Sequence, residues 1–156
     1  MTEQTGGDPP RKTKYYSQKK FVWFLSQNSL SILGDWLMRK GWLTCSYYDF
    51  ENHFSISIAP IRKKIIWTGT QSEFVHLIKY LISERMIRRE KDIWLFCSHH
   101  FNLFGGQELN IRSCASIGNK GPAYFVHQDL EELGIELTKN GGKSRTTLGI
   151  YKEGSN

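Results

Sequence analysis

Cysteine is scarce in this chain of 156 residues, which carries only three. Cys45, Cys97 and Cys114 are widely spaced, lie among apolar neighbours and form no C-x-x-C pair. An odd number without paired spacing excludes a disulfide framework and the usual structural zinc motifs. We therefore expect buried free thiols in a reducing compartment, and no metal site.

Long hydrophobic runs and catalytic signatures are also missing. No stretch approaches the roughly eighteen apolar residues of a membrane span, and the N-terminus lacks the apolar region of a signal peptide. Phosphate-loop, dinucleotide-binding, zinc-protease and nucleophile-elbow motifs do not occur. These absences predict a cytoplasmic protein with no membrane contact, no cofactor and no enzymatic activity, because an enzyme would need convergent titratable groups.

The histidine and glutamate pairs of the chain are adjacent in sequence. They are His99-His100 and Glu131-Glu132. Neighbouring residues on a helix point about 100° apart, so neither pair converges on one metal ion or one proton. We interpret the histidines as a structural pair and the glutamates as a solvated helix edge.

Positive charge, in contrast, is in excess. Lysine and arginine number 21 against 15 acidic residues, which gives a formal net charge of +6. A summed positive potential attracts phosphate groups without specific contacts, so polyanions are the favoured class of partner. The hydrophobic content of 39% is enough for a folded core of one domain.

One folded core with two short tails is the predicted organisation. Residues 1–18 offer little to bury and are predicted to be a flexible basic tail. Residues 19–151 are predicted to form a single domain, and residues 152–156 a second flexible tail. The first tail is either a solvated terminus or an arm along a nucleic-acid backbone. The basic side chains of that arm are Arg11, Lys12 and Lys14.

Two segments repeat apolar residues at clear helical spacing. Residues 28–40 form the first, and Gly41 follows at the position of a left-handed stop. The second begins at Thr70, which is followed by Glu73 in the capping-box arrangement. Both are predicted to be helices, with His76 on the flank of the second apolar stripe. That stripe is formed by Phe74, Leu77, Ile78, Leu81 and Ile82.

Two shorter helices are predicted further along the chain. The run from residue 93 to 104 suits a strand or a helix, and we favour a helix with Asp92 as its cap and Gly105-Gly106 as its stop. Asn110 can cap a short helix that ends near Gly118. A helix, a two-glycine turn and a short helix follow the order of a helix-turn-helix motif. The inward face of the short helix is predicted to be Ile111, Cys114 and Ala115.

A first hairpin is predicted ahead of the capped helix. Residues 42–50 and 53–59 resemble two strands, and the second alternates apolar residues with serine. After it comes Trp67, which we interpret as a core anchor beside the capped helix, with Gly69 providing the sharp entry.

A second hairpin is predicted near the C-terminus. A helical turn at 129–133 would end at Gly134, and residues 135–138 and 146–151 would be the strands. Its tip is either a wing that touches a phosphate backbone or an ordinary surface turn. The fold class is thus a small α+β domain with short helices, two hairpins and a core of helix-turn-helix or winged-helix type. The basic residues of the tip are Lys139, Lys143 and Arg145.

Several motifs between Lys64 and about Gly118 occur in a characteristic order. W-T-G at 67–69 precedes an amphipathic helix, followed by Trp94, a His-Phe pair at 100–101, a Gly-x-x-Leu and the run Ser-Cys-Ala-Ser at 113–116. This third of the chain resembles the carboxy-terminal region of RteC-type proteins, the regulatory and accessory proteins of conjugative transposons. The resemblance implies a mobile-element or transcriptional setting and supplies no catalytic residues.

Nucleic-acid binding, with DNA favoured, is the predicted function, in a regulatory or accessory protein of a mobile genetic element. The alternative is a protein-interaction module without nucleic-acid contact, with an exposed patch that includes Tyr47, Tyr48 and Tyr124. A homodimer would suit symmetric DNA sites, although no heptad seam is visible. The predicted groove-facing residues are Arg112, Ser113, Ser116, Asn119 and Lys120, and the predicted backbone contacts are Lys139, Lys143 and Arg145.

Overall fold

The computed structural model describes residues 19–139, which contain six α-helices, two strands and one 3₁₀ turn joined by loops. The helices are α1 Gln27–Arg39, α2 Tyr47–Glu51, α3 Gln71–Ser83, α4 Ile93–Ser98, α5 Ile111–Gly118 and α6 Tyr124–Lys139. Strand β1 is Ile65–Trp67 and strand β2 is Phe101–Leu103, and the 3₁₀ turn Phe104–Gly106 follows β2. The predicted α+β class is confirmed for this part of the chain.

The two strands pair in parallel, with Ile65 opposite Phe101 and Trp67 opposite Leu103. Parallel neighbours need a crossover connection, and here α3 and α4 provide it. The two paired strands therefore fix the two ends of the segment that contains α3 and α4.

Helix α1 forms as the sequence predicts. The Ser26 hydroxyl accepts a hydrogen bond from the Ser29 amide at 3.1 Å, and Gly41 has a φ of 79° just beyond the last turn. The apolar stripe of α1 faces the core, as expected from its spacing. Its buried members are Leu30, Leu33, Trp36 and Leu37.

The capping box of α3 is also confirmed. The Thr70 hydroxyl accepts from the Glu73 amide at 3.0 Å, and the Glu73 carboxylate accepts from the Thr70 amide at 2.7 Å. The stripe beneath it is buried from Phe74 to Leu81, and His76 is buried as well. Two amides at the helix start are thereby satisfied without water.

Removing this cap gives a local test of the fold. Thr70→Ala is expected to lower the free energy of unfolding by about 1 kcal/mol, because the Glu73 amide loses its acceptor. Thr70→Ser keeps the hydroxyl and should stay within about 0.5 kcal/mol of the parent protein. Urea denaturation of the three proteins measures both values, and equal losses in the two variants would contradict a capping role.

Trp67 is the anchor of the core, as predicted. Its side chain is 0% exposed, and its ring centroid lies 5.2 Å from that of Phe74 and 5.4 Å from that of Trp42. The indole Nε1 donates a hydrogen bond to the Thr70 carbonyl at 2.8 Å, so the one polar atom of the ring is satisfied. A Cβ at Gly69 would lie 2.9 Å from a Trp42 ring carbon, so glycine is needed there for close packing.

The first predicted hairpin is wrong. Residues 47–51 form α2, which begins after Ser46, whose hydroxyl accepts from the Asp49 amide at 3.1 Å. In place of a second strand, Phe54 makes a single parallel bridge with Phe21. Helix α2 packs on α1 so closely that a Cβ at Gly34 would lie 3.0 Å from the Tyr47 ring. This tertiary contact outweighs the strand propensity of the aromatic residues.

The second predicted hairpin is wrong in its first strand. Residues 135–138 lie within α6, which continues through Gly134 and ends at Lys139. Leu130, Leu133 and Leu137 recur at helical spacing, and all three are buried. Their burial outweighs the intrinsic cost of glycine in a helix. The predicted second strand at 146–151 lies outside the described residues.

The predicted long helix after Asp92 is shorter than expected. Helix α4 ends at Ser98, and the chain then extends as β2, because β1 offers it a parallel partner. Asp92 occupies the cap position without a side-chain hydrogen bond. Gly105 and Gly106 both have a positive φ, and they lie in the 3₁₀ turn after β2.

The short helix α5 is confirmed in its bounds. The Asn110 side chain accepts from the Ser113 amide at 2.9 Å, and the helix ends at Gly118. Of the predicted inward face only Cys114 is buried, whereas Ile111 is 40% exposed and Ala115 is exposed. The link from α4 to α5 contains β2, so the predicted two-glycine turn of a helix-turn-helix does not join them.

Candidate nucleic-acid interface

Helix α5 is held against α3 at both of its ends. The Gln71 amide donates to the Asn110 carbonyl at 3.2 Å, and the Lys79 ammonium donates to the Gly118 carbonyl at 2.5 Å. Gln71 and Lys79 are eight residues apart, as are Asn110 and Gly118, and eight residues of helix rise about 12 Å. The two helices therefore run side by side in the same direction, and Cys114 of α5 is buried between them.

The outer face of α5 carries most of the predicted contact residues. Arg112, Ser116 and Asn119 are exposed, and their spacing of four and three residues places them on one side of the helix. Lys120 is exposed immediately beyond the helix end. Ser113 is half-buried on another side, and its amide serves the cap. Four of the five predicted residues thus belong to one exposed surface.

Charge on this surface is not neutralised by neighbouring carboxylates. Between residues 19 and 139, neither Arg112 nor Lys120 forms an ion pair, and Lys79 binds only a carbonyl oxygen. Some cations elsewhere are compensated by carboxylates; Lys40, for example, pairs with Asp129 at 2.7 Å, on the side where α1 packs on α6. Positive potential is therefore available around α5 and is largely compensated between α1 and α6.

The C-terminal basic residues lie apart from this surface or outside the described residues. Lys139 is exposed at the last position of α6, and the start of α6 follows α5. A helix of 16 residues is about 24 Å long, so α6 separates Lys139 from Lys120. The other two predicted tip residues and the three basic residues of the N-terminal arm are not among the described residues. They are Lys143, Arg145, Arg11, Lys12 and Lys14.

A buried histidine pair lies in the core, and the sequence analysis did not predict it. His100 Nδ1 lies 2.8 Å from His53 Nδ1, and His53 Nε2 donates to the Lys63 carbonyl at 2.8 Å. The predicted partner, His99, is exposed instead. No local signal could have found this contact, because 47 residues separate the two rings.

The donors and acceptors of the pair are determined by its neighbours. Because a carbonyl only accepts, His53 carries its proton on Nε2, and its Nδ1 must accept the proton on His100 Nδ1. His100 Nε2 is buried without a hydrogen-bond partner, although the nearby Lys19 backbone raises the pKa of His100 slightly against the effect of burial. Burial lowers the pKa of His53 to about 4 and that of His100 to about 3, so both rings are neutral at pH 7.

A cleft of about 320 Å³ opens beside α4, between Lys19, Lys91 and His99. Glu90 lines it and is buried, but its carboxylate pairs with Lys19 at 3.0 Å and with Arg88 at 3.2 Å. This carboxylate is already compensated by two cations, and the other titratable residues that line the cleft are Lys91, Asp92 and His99.

The predicted burial of the cysteines is confirmed for two of the three. All three are free; Cys97 and Cys114 are buried, and Cys45 is half-buried. Burial raises the pKa of Cys45 and of Cys114 to about 11, so both thiols are protonated and unreactive at neutral pH. Among residues 19–139, no group of three or more His, Cys, Asp or Glu side chains could hold a metal ion.

Comparison with known proteins does not assign this chain to a family. No family model matches the chain, and no similar protein was found among the curated proteins or the solved structures. The RteC-type resemblance stays a prediction. Within the described part of the chain, no helix has both the length and the apolar character needed to cross a membrane.

Proposed function

We propose that this chain binds nucleic acid, with DNA favoured, through the exposed face of α5. The observation that carries the proposal is the positive charge of Arg112 and Lys120, which form no ion pair within residues 19–139, beside the polar side chains of Ser116 and Asn119. The protein acts by binding rather than by catalysis. A regulatory or accessory role in a mobile genetic element rests on the RteC-type resemblance of residues 64–118.

The side chains on this face suit two kinds of contact. Arginine can bond two acceptors of guanine, and asparagine can bond the donor and acceptor of adenine, so Arg112 and Asn119 can read base edges. Lys120 and Lys79 carry compact ammonium groups that suit phosphate. Because α5 is tied to α3 at both ends, these groups are presented by a rigid support.

A salt series separates the two kinds of contact. Lys120→Ala should reduce the slope of log affinity against log salt by about 0.7 to 0.9 and weaken all sequences alike, because one phosphate contact is lost. Arg112→Ala should cost about 1 to 3 kcal/mol on a preferred sequence selected from a random pool, and little elsewhere. Fluorescence anisotropy at salt concentrations from about 50 to about 200 mM measures both the salt slope and the loss of affinity.

Two further variants complete this test. Arg39→Ala is the matched control, because Arg39 is an exposed cation that already pairs with Asp35 on α1. The triple change of Lys139, Lys143 and Arg145 to Ala should flatten the slope by about two to three units if the C-terminal segment also contacts phosphates. A parent protein without salt-dependent binding to any nucleic acid would contradict the proposal.

The alternative function is a protein-interaction module without nucleic-acid contact. The observation that favours it is the exposure of Tyr48, Tyr124 and Phe125. Tyr47 does not belong to such a patch, because it is half-buried against Phe50. This reading becomes the better one if the parent protein binds neither DNA nor RNA at low salt.

A further inference from the structure

We propose that the partner is single-stranded, and that Tyr124 and Phe125 stack on its unpaired bases next to the cations of α5. The inference rests on the proposed function and names the form of nucleic acid that the same surface takes. We call the set Lys79, Arg112, Lys120, Tyr124 and Phe125 the α5–α6 surface.

The aromatic pair is exposed at the start of α6. Tyr124 is 67% exposed and Phe125 is 75% exposed, and their ring centroids are 5.5 Å apart in an edge-to-face arrangement. The Tyr124 hydroxyl accepts from the Gln128 amide at 2.9 Å, which fixes the direction of that ring. Neither ring belongs to the hydrophobic core of the described residues. Two adjacent large aromatic side chains in water contribute nothing to that core, which is typical of a binding surface.

The cations of the surface lie close to this pair. Lys120 precedes Tyr124 by four residues, so their Cα atoms are at most about 14 Å apart. Lys79 reaches the C-terminal end of α5 from α3, because its ammonium binds the Gly118 carbonyl. Arg112 lies on α5 six residues before Gly118, a helical rise of about 9 Å. The three cations therefore lie on α5, against its C-terminal end and just beyond it, in the stretch of the fold that leads to the start of α6.

Aromatic rings beside cations suit a single strand better than a duplex. In a duplex the faces of the bases are covered by their neighbours, so exposed rings have nothing to stack on unless the strands separate. In a single strand each base face is free, and stacking on an aromatic side chain contributes about 5- to 150-fold in affinity per base. The cations would hold the backbone on either side without regard to sequence.

The test compares a labelled mixed-sequence single strand with its own duplex by fluorescence anisotropy. The parent protein should bind the single strand at least about tenfold more tightly. The double variant Tyr124→Ala, Phe125→Ala should lose most of that preference while keeping the salt slope, because the phosphate contacts remain. The double variant Tyr124→Phe, Phe125→Tyr keeps both rings and should retain the preference.

Tyr48→Ala is the matched control, because Tyr48 is an equally exposed tyrosine on α2, and it should leave both affinities unchanged. Far-UV circular dichroism of each variant establishes that the fold is retained. Equal binding of duplex and single strand, or an unchanged preference in the double alanine variant, would refute the inference and leave the proposed function standing. No binding to either DNA, or to single-stranded RNA of the same sequence, would refute both.

Discussion

Lowering the pH from about 7 to about 4 is expected to remove at least about 3 kcal/mol of the free energy of unfolding, because His53 and His100 are buried as neutral rings. Domains of this size are stable by about 5 to 15 kcal/mol, so such a loss brings the protein close to acid unfolding. The cause lies in the core and not on the charged surface.

Stability falls with pH because the folded and unfolded states take up protons at different pH values. In the unfolded chain both rings titrate near 6.5, whereas burial lowers the folded pKa of His53 to about 4 and that of His100 to about 3. Between these values the unfolded state binds more protons, so stability falls as the pH falls. Lys20 lowers the pKa of His53 further, and the other ring, His99 and Lys64 do the same for His100. The hydrogen bond to the Lys63 backbone and the charge of Asp49 raise the pKa of His53, and the Lys19 backbone raises that of His100, but burial outweighs all three.

Protonation would also break the contact between the rings. A second proton on His53 would turn the acceptor at its Nδ1 into a donor that faces the Nδ1 proton of His100. The pair connects the segment after α2 to the start of β2, so we expect these two regions to separate first in acid.

Urea denaturation at pH 7, 6, 5 and 4 measures the effect. Near pH 5 each titrating histidine contributes about 1.4 kcal/mol per pH unit to the slope. His53→Gln and His100→Gln should each lower the slope by about that amount, even where the variant is less stable overall. His99→Gln removes an exposed neighbour of His100 and neither buried ring, so it should change the slope much less than the two other variants. A slope that is the same in all four proteins would contradict this account.

Replacing Trp67 by alanine is expected to cost about 3 to 5 kcal/mol. The ring is fully buried among Trp42, Phe74 and Phe101, and its removal leaves a cavity that the paired strands cannot close. The Thr70 carbonyl also loses the indole donor at the entry to α3.

Two further variants give reference values for the stability loss of Trp67→Ala. Trp67→Phe keeps an aromatic ring and should cost distinctly less than Trp67→Ala, with the lost hydrogen bond as one part. Tyr48→Ala removes an exposed ring and should change stability by no more than about 0.5 kcal/mol. Chemical denaturation compares the three, and a loss below about 1 kcal/mol for Trp67→Ala would mean that the ring is not a core anchor.

The predicted interface was partly readable from the sequence. The Asn110 cap and the stop at Gly118 delimit α5, and the helical period then places Arg112, Ser116 and Asn119 together. The outward side of α5 was only partly foreseen, because a helix of two turns has few apolar residues to mark its buried face. Phe125 was missed, since the exposure of an aromatic residue depends on what packs over it.

The sequence alone determined those helix boundaries whose signals act within one helical turn. The capping box of Thr70 and Glu73, the Asn110 cap and the left-handed Gly41 each satisfy backbone groups of their own segment, so no distant partner is needed to form them. The apolar stripes of α1 and α3 extend over several turns but are local as well, because their period alone distinguishes helix from strand.

Only the tertiary structure decided the short ambiguous segments. Residues 47–51 are helical because α1 offers them a packing surface, residues 101–103 are extended because β1 offers a parallel edge, and residues 135–138 stay helical because Leu137 is buried with its neighbours. The His53–His100 pair likewise exists only in the folded chain. In each case the stabilising partner is far away in sequence, and a local pattern carries no information about which distant surface will cover it.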